Sequence, residues 1–216
     1  MRKNLSSFNI RLDIVNKRQY EESEYYKEIK ILIPKDSEEL KKDFDYLGLD
    51  YSNLNIQDTH IKECEIICKD DPTFSTALSN ELNRLIDRAN DSGYTTPFND
   101  MIEFYKITKE FCLDDKDKLL SILEAKREVI SNIKDAIKFA SNINCFELIE
   151  AYDNEELGRR LVYNGEIDIE DLMEYADLYR LGKEYSEDKR MIKTEQGYLM
   201  QECDLRYCIE EEEEFY

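Results

Sequence analysis

Side chains that can hold a proton, a metal or a nucleophile's electron pair are few here, apart from carboxylates. The sequence has one histidine, His60, and six cysteines at 64, 68, 112, 145, 203 and 208. No nucleophile motif surrounds His60, so it reads as a loop or surface residue rather than a base or a ligand. The cysteines form no CxxC pair, and one histidine cannot supply the paired ligand sets that zinc takes. Cys64 and Cys68 read as small hydrophobes. No GxGxxG, GxxxxGK[ST] or HExxH occurs, and no DxDxDG loop has a glutamate at its twelfth position. Those patterns would serve a dinucleotide, a nucleoside triphosphate, a catalytic zinc or a calcium ion. With this many carboxylates some pair lies close in any fold, so an acid pair of the glycosidase type has no specific support. The chain reads as a non-enzyme with no metal and no cofactor.

The carboxylates themselves are the candidate site. There are 50 Asp and Glu against 30 Lys and Arg, a formal net charge of -20. Asp153, Glu155, Glu156, Glu166, Asp168, Glu170, Asp171, Glu174 and Asp177 fall within 25 positions, and Glu184, Glu187 and Asp188 follow. On a helix Glu170 and Asp171 would each share a face with Glu174, at a cost of a few tenths of a kcal/mol per like-charged pair. Such a set is either a solvated, solubilising surface or a surface made to be bound by a basic groove. A groove built for duplex DNA expects about one negative charge per 1.7 Å of axis. Carboxylates fixed on a rigid scaffold would compete for the same Lys and Arg. Association would be fast, steered and weakened by salt.

The same imbalance excludes other classes. Direct binding to nucleic acid needs an excess of basic residues, and an anionic membrane surface would repel the chain. No run of about 18 apolar residues exists, and the N-terminus MRKNLSSFNIRLDIV lacks an uninterrupted apolar stretch. A cytoplasmic location is expected, one that six cysteines suit if they are reduced. Residues 1–35 carry +3, 36–100 carry -9, 101–150 carry -2 and 151–216 carry -12. The run Glu210 to Glu214 supplies only five acids, so the charge is not the property of a tail.

Fifteen Tyr and nine Phe supply a core, and six Gly with three Pro leave little room for linkers, so helix should dominate. Phe8 to Val15 alternates as a half-buried strand, as does Glu28 to Ile33 up to Pro34. Asp36 or Ser37 caps a helix through about Leu47, stopped by Gly48. A third strand runs through Cys64–Cys68. After Asp70-Asp71-Pro72 the pattern is helical. Ala77, Leu78, Leu82, Leu85 and Ile86 form one stripe. Met101, Phe104, Tyr105, Thr108 and Phe111 form a second, behind Pro97. A third helix covers Asp114 to Ile130. Helices are expected over 132–140, 154–163 and 169–181, with strands at 145–149 and from Gly197 onward. The fold class is α+β. A helical middle domain, 71–130, lies between α+β domains at 1–70 and 131–216.

Three segments then follow in order: Glu156-Leu157-Gly158-Arg159-Arg160-Leu161-Val162, Asp177 to Glu184, and Thr194-Glu195-Gln196-Gly197-Tyr198-Leu199. Their order and spacing resemble the C-terminal domain of ArdA-family antirestriction proteins. Asn132 to Tyr152 also resembles the family, and Ile33-Pro34-Lys35-Asp36-Ser37-Glu38-Glu39-Leu40 resembles its strand-Pro-acidic-helix entry. Tyr163-Asn164 stands where the family often has two acids, and the segment 72–130 is longer than expected. The resemblance implies an elongated, curved chain of three small domains and a homodimer made through the C-terminal domain. It implies a surface like bent B-form DNA that occupies the groove of a type I restriction-modification enzyme. Leu157, Gly158, Leu161 and Val162 fall on the family's LG motif and are read near the dimer region or as core packing. Gly182, Gly197 and Tyr198 are read as turn and core residues. Two rivals stand beside this one: an inhibitor of a CRISPR effector, which also holds nucleic acid in a positive channel, and an intracellular adaptor docking through 98–129.

Overall fold

A computed structural model of the chain describes residues 8–53, 58–93, 96–167 and 177–205. The chain divides into two compact units. The first takes residues up to Lys116 together with Glu128–Ser141; the second takes Asp117–Arg127 and the residues from Asn142 on. The class is mixed α+β, with one small antiparallel sheet in each unit.

In the first unit, strand β1 (Asn9–Asn16) lies between β2 (Glu28–Ile33) and β3 (Thr59–Ile67), antiparallel to both. Alternation puts Ile10, Leu12 and Ile14 inward with Ile31 and Ile33, all buried. Inward positions on β3 are Ile61, Cys64 and Ile66. Ile61 and Cys64 are three apart, which strict alternation would send to opposite faces. The register slips there: Asp13 faces Glu63 and Ile14 faces Ile61, leaving Lys62 as an extra residue. This bulge returns Ile61 to the core side and frees Lys62 to reach Glu28 at 2.6 Å.

A short helix α1 (Lys17–Glu22), with no buried residue, follows β1 directly. Helix α2 (Ser37–Leu47) starts at Asp36, whose side chain accepts from the Glu38 N–H at 2.8 Å. It stops at Gly48, with φ 74°. Its buried face is Leu40, Phe44 and Leu47. Helix α3 (Pro72–Asp91) is capped by Asp71 and runs along β3. Helix α4 (Phe98–Thr108) packs on α6 (Ile133–Ser141), and α5 (Leu113–Ala125) contributes to both units. The expected boundary at 70/71 therefore falls between β3 and α3, two elements in direct contact.

That contact has a regular chemistry. Ser75, Ser79 and Asn83, four apart on α3, accept from the backbone N–H groups of Cys68, Ile66 and Cys64, two apart along the strand edge. Four helix residues rise about 6.0 Å and two strand residues about 6.6 Å, so the two repeats match. Asn83 also donates to the Cys64 carbonyl at 2.8 Å, and Asn90 to the Ile61 carbonyl at 3.3 Å. The helix thus satisfies an edge that would otherwise stand open to another strand. Lys116 is fully buried in the same unit, its ammonium 4.8 Å from the Phe74 ring centre and 5.8 Å from that of Phe8. The rings' negative faces offset part of the charge's desolvation.

In the second unit, β4 (Phe146–Ile149) and β5 (Ile192–Thr194) flank β6 (Gly197–Gln201), both antiparallel to it. Helices α7 (Asn154–Tyr163) and α8 (Leu178–Asp188) complete it. Asp177 caps α8, so a helix begins there and runs to Asp188, where the sequence pattern suggests one helix ending at Leu181. Residues 169–176 of that expected helix lie outside the described residues.

Candidate macromolecular interface

Most of the candidate acids lie on or beside α7 and α8. Helix α7 starts at Asp153, whose carboxylate accepts from the Glu156 N–H at 2.8 Å, while Glu156 reaches back to accept from the Tyr152 N–H at 3.0 Å. Helix α8 starts at Asp177, which accepts from the N–H groups of Tyr179 and Arg180. Acids at these positions also complement the helix dipole. Leu157 and Leu161, one turn apart, turn inward and join Ile149, Ala151 and Tyr198 in the core, with Ile167, Tyr185 and Met191 against it. Gly158 is buried and Val162 half-buried. The LG segment is thus mostly core in this unit.

Gly158 and Gly182 set how near the two helices come. A Cβ on Gly158 would lie 2.1 Å from the Leu178 carbonyl oxygen, and one on Gly182 would lie 1.9 Å from that of Asn154. Gly182 is therefore a helix-crossing residue rather than a turn residue. Tyr198 is core, and its hydroxyl donates to Asn154 Oδ1 at 2.8 Å. The Thr194 to Gly197 segment is the hairpin turn between β5 and β6. The Thr194 hydroxyl donates to the Gly197 carbonyl at 2.9 Å. Gly197 holds φ 143°, and a Cβ there would meet the Ile149 carbonyl at 2.4 Å.

The acids differ in what surrounds them. Asp153, Glu155, Glu166, Asp177, Glu184, Glu187 and Asp188 are exposed, and Glu156 is half-buried. Several are countered one turn away: Glu155 by Arg159 at 2.8 Å, Glu156 by Arg160 at 3.8 Å, Glu184 by Arg180 at 2.7 Å and Glu187 by Lys183 at 3.9 Å. Among the described residues, Glu166 and Asp188 have no such cation, nor do the helix caps Asp153 and Asp177. Asp168, Glu170, Asp171 and Glu174 lie outside the described residues, as does Glu210 to Glu214.

The structure adds Glu147 and Glu202 to this set. Burial, then the charges of Glu202 and Glu166, push the Glu147 carboxyl above its ordinary pKa, against a smaller pull from Lys118. Burial, Glu166 and Glu147 likewise raise the Tyr185 phenol. Glu147 is on β4, Glu166 follows α7 and Glu202 follows β6. They are far apart in sequence, and the fold brings Glu166 and Glu202 near enough for their charges to act on Glu147.

His60 is not in a loop. It lies half-buried in β3, stacked on Tyr20 at 4.8 Å between ring centres. Burial, then Lys17, pushes its pKa down, with Glu21 opposing. Cys64 and Cys68 are buried and outside any disulfide, whereas Cys145 and Cys203 are joined as one. That pair departs from the fully reduced state, because β4 and β6 bring the two cysteines together. Among the described residues, no group of three or more His, Cys, Asp or Glu could hold a metal ion, and no helix is long and apolar enough to cross a membrane. No protein-family model and no curated protein matches the chain.

Proposed function

We propose that this chain is an acidic DNA mimic, acting in the cytoplasm as a homodimer. It would inhibit a type I restriction-modification enzyme by occupying its DNA-binding groove. The observation that carries the reading is the exposed carboxylate set of α7 and α8, two helices locked together through glycines. Fixed charge on a fixed scaffold is what competition with phosphates requires. The ordered resemblance of the three C-terminal segments supports the choice of target. With it goes an elongated arrangement of three small domains, 1–70, 71–130 and 131–216, which small-angle X-ray scattering tests. The dimer contact would use exposed side chains of the second unit, such as Tyr163 and Tyr179, since Leu157, Gly158 and Leu161 are buried.

The local Arg and Lys partners on α7 and α8 lower the net field of the helices. Much of the negative potential in this proposal then belongs to Glu166, Asp188 and the acids at 168–174. Replacing Glu170, Asp171 and Glu174 together by their amides should weaken inhibition more than stability; the reverse outcome favours a solubilising surface. An adaptor docking through 98–129 would need that apolar stripe exposed, yet Met101, Phe104, Phe111, Leu119 and Leu123 are buried. A CRISPR effector offers the same kind of groove, and pull-down from cells carrying each system separates the two targets.

A further inference from the structure

The one disulfide of the described residues sits where the second unit's sheet ends. Phe146 opens β4 and faces Gln201, the last residue of β6. Just beyond that pair, Cys145 and Cys203 have Cα atoms 5.2 Å apart and are bonded through sulfur. The Glu202 N–H donates to the Cys145 carbonyl at 2.8 Å, so backbone pairing continues up to the bridge. Cys145 is buried and Cys203 exposed, so a small thiol can approach from the Cys203 side. The two cysteines are 58 positions apart, and α7, α8, β5 and β6 all lie inside the closed loop.

We propose that Cys145–Cys203 is a reversible redox latch that sets the stability of the second unit. A reducing dithiol supplies two electrons. One of its thiolates attacks the Cys203 sulfur, the Sγ–Sγ bond breaks, and Cys145 leaves as a thiolate and takes a proton. The second thiolate of the dithiol displaces Cys203 from the mixed disulfide. The products are two protein thiols and an oxidised, cyclic dithiol. The non-covalent core and the Gly158–Gly182 crossing remain, but the denatured chain regains the freedom the loop removed. For a loop of this length that favours unfolding by up to roughly a thousandfold. The latch rests on the bridge alone and is independent of what the acids bind.

The test uses the full-length chain in dithiothreitol buffers of graded reduced-to-oxidised ratio. Thiols are counted by alkylation and mass, and amide hydrogen exchange is followed by peptide. The latch predicts that exchange in α7 and α8 speeds at least tenfold over the same ratio at which two thiols appear. Exchange in α2 and α3 stays unchanged. Cys203→Ser shows the fast exchange at every ratio; should that variant fold poorly, the wild-type titration decides alone. Two results overturn the proposal: Cys145 and Cys203 staying as thiols in the most oxidising buffer, or exchange in α7 and α8 indifferent to their state.

Discussion

Gly158 and Gly182 each leave empty the space that the other's helix fills. Gly158 leaves room for the Leu178 carbonyl and Gly182 for that of Asn154, so neither helix can gain a methyl group without parting from its neighbour. Gly158→Ala should destabilise the second unit by about 2 kcal/mol or more, even though alanine is the better helix former by about 1 kcal/mol. The double change with Gly182→Ala should cost less than the two single costs added, because the first clash already separates the helices. Urea unfolding of the three variants measures both effects.

The strand edge of β3 offers a second measurement. Asn83→Ala removes the acceptor for the Cys64 N–H and the donor to its carbonyl, leaving two polar groups without partners at a cost of about 2 kcal/mol. Ser79→Ala removes the acceptor for the Ile66 N–H and the hydroxyl that donates to the Ser75 carbonyl within α3, leaving one strand-edge group without a partner, and should cost about 1 kcal/mol. Urea denaturation should rank them in that order, with exchange at the Cys64 and Ile66 amides accelerating.

Asp100 makes stability depend on pH. It is buried in the first turn of α4, and burial pushes its carboxyl up to about 6, with Lys134 pulling it back and Glu103 adding to the rise. An acid whose pKa is higher folded than unfolded binds protons more readily in the folded state. Its contribution to stability therefore falls as pH rises from about 4 to about 6 and stays lowered above that. Asp100→Asn should raise stability at pH 7 by about 1–3 kcal/mol and change little below pH 4. Thermal melting of both proteins at a series of pH values checks the sign and the window.

Acids that hold helix ends and acids that face solvent should separate by mutation. Asp153→Ala and Asp177→Ala each remove a cap and should cost about 1 kcal/mol of stability. Glu166→Gln with Asp188→Asn should change stability by no more than about 0.5 kcal/mol. It should nonetheless weaken binding to a basic-groove partner and flatten the dependence on salt. Calorimetric melting and binding at two salt concentrations distinguish the groups.

The parts legible in sequence are those settled by neighbours a few residues away. Asp36 with Gly48, Asp71 with Pro72, and Asp153 with Leu157 and Leu161 mark helices through local hydrogen bonds and one-turn spacing. Helix α1 is not legible because Lys17 to Glu22 buries nothing and shows no apolar period. Strand β5 is three residues long. The start of α8 depends on one carboxylate, Asp177, turning to the two N–H groups behind it. The Lys62 bulge, the match of Ser75, Ser79 and Asn83 to a strand edge, and the Cys145–Cys203 bridge all need the sheets in place first. The same holds at the candidate site. The sequence shows how many acids there are; only the structure shows which are caps, which face an arginine, and that Glu147 and Glu202 join Glu166.

Equilibrium competition with duplex DNA tests DNA mimicry most directly. A fluorescent duplex bound to a type I restriction-modification complex is titrated with the full-length chain at low and at moderate salt. Displacement of the duplex at low salt, with apparent affinity falling as salt rises, is the result the DNA-mimic account predicts. A duplex that stays bound at low salt under saturating protein contradicts it.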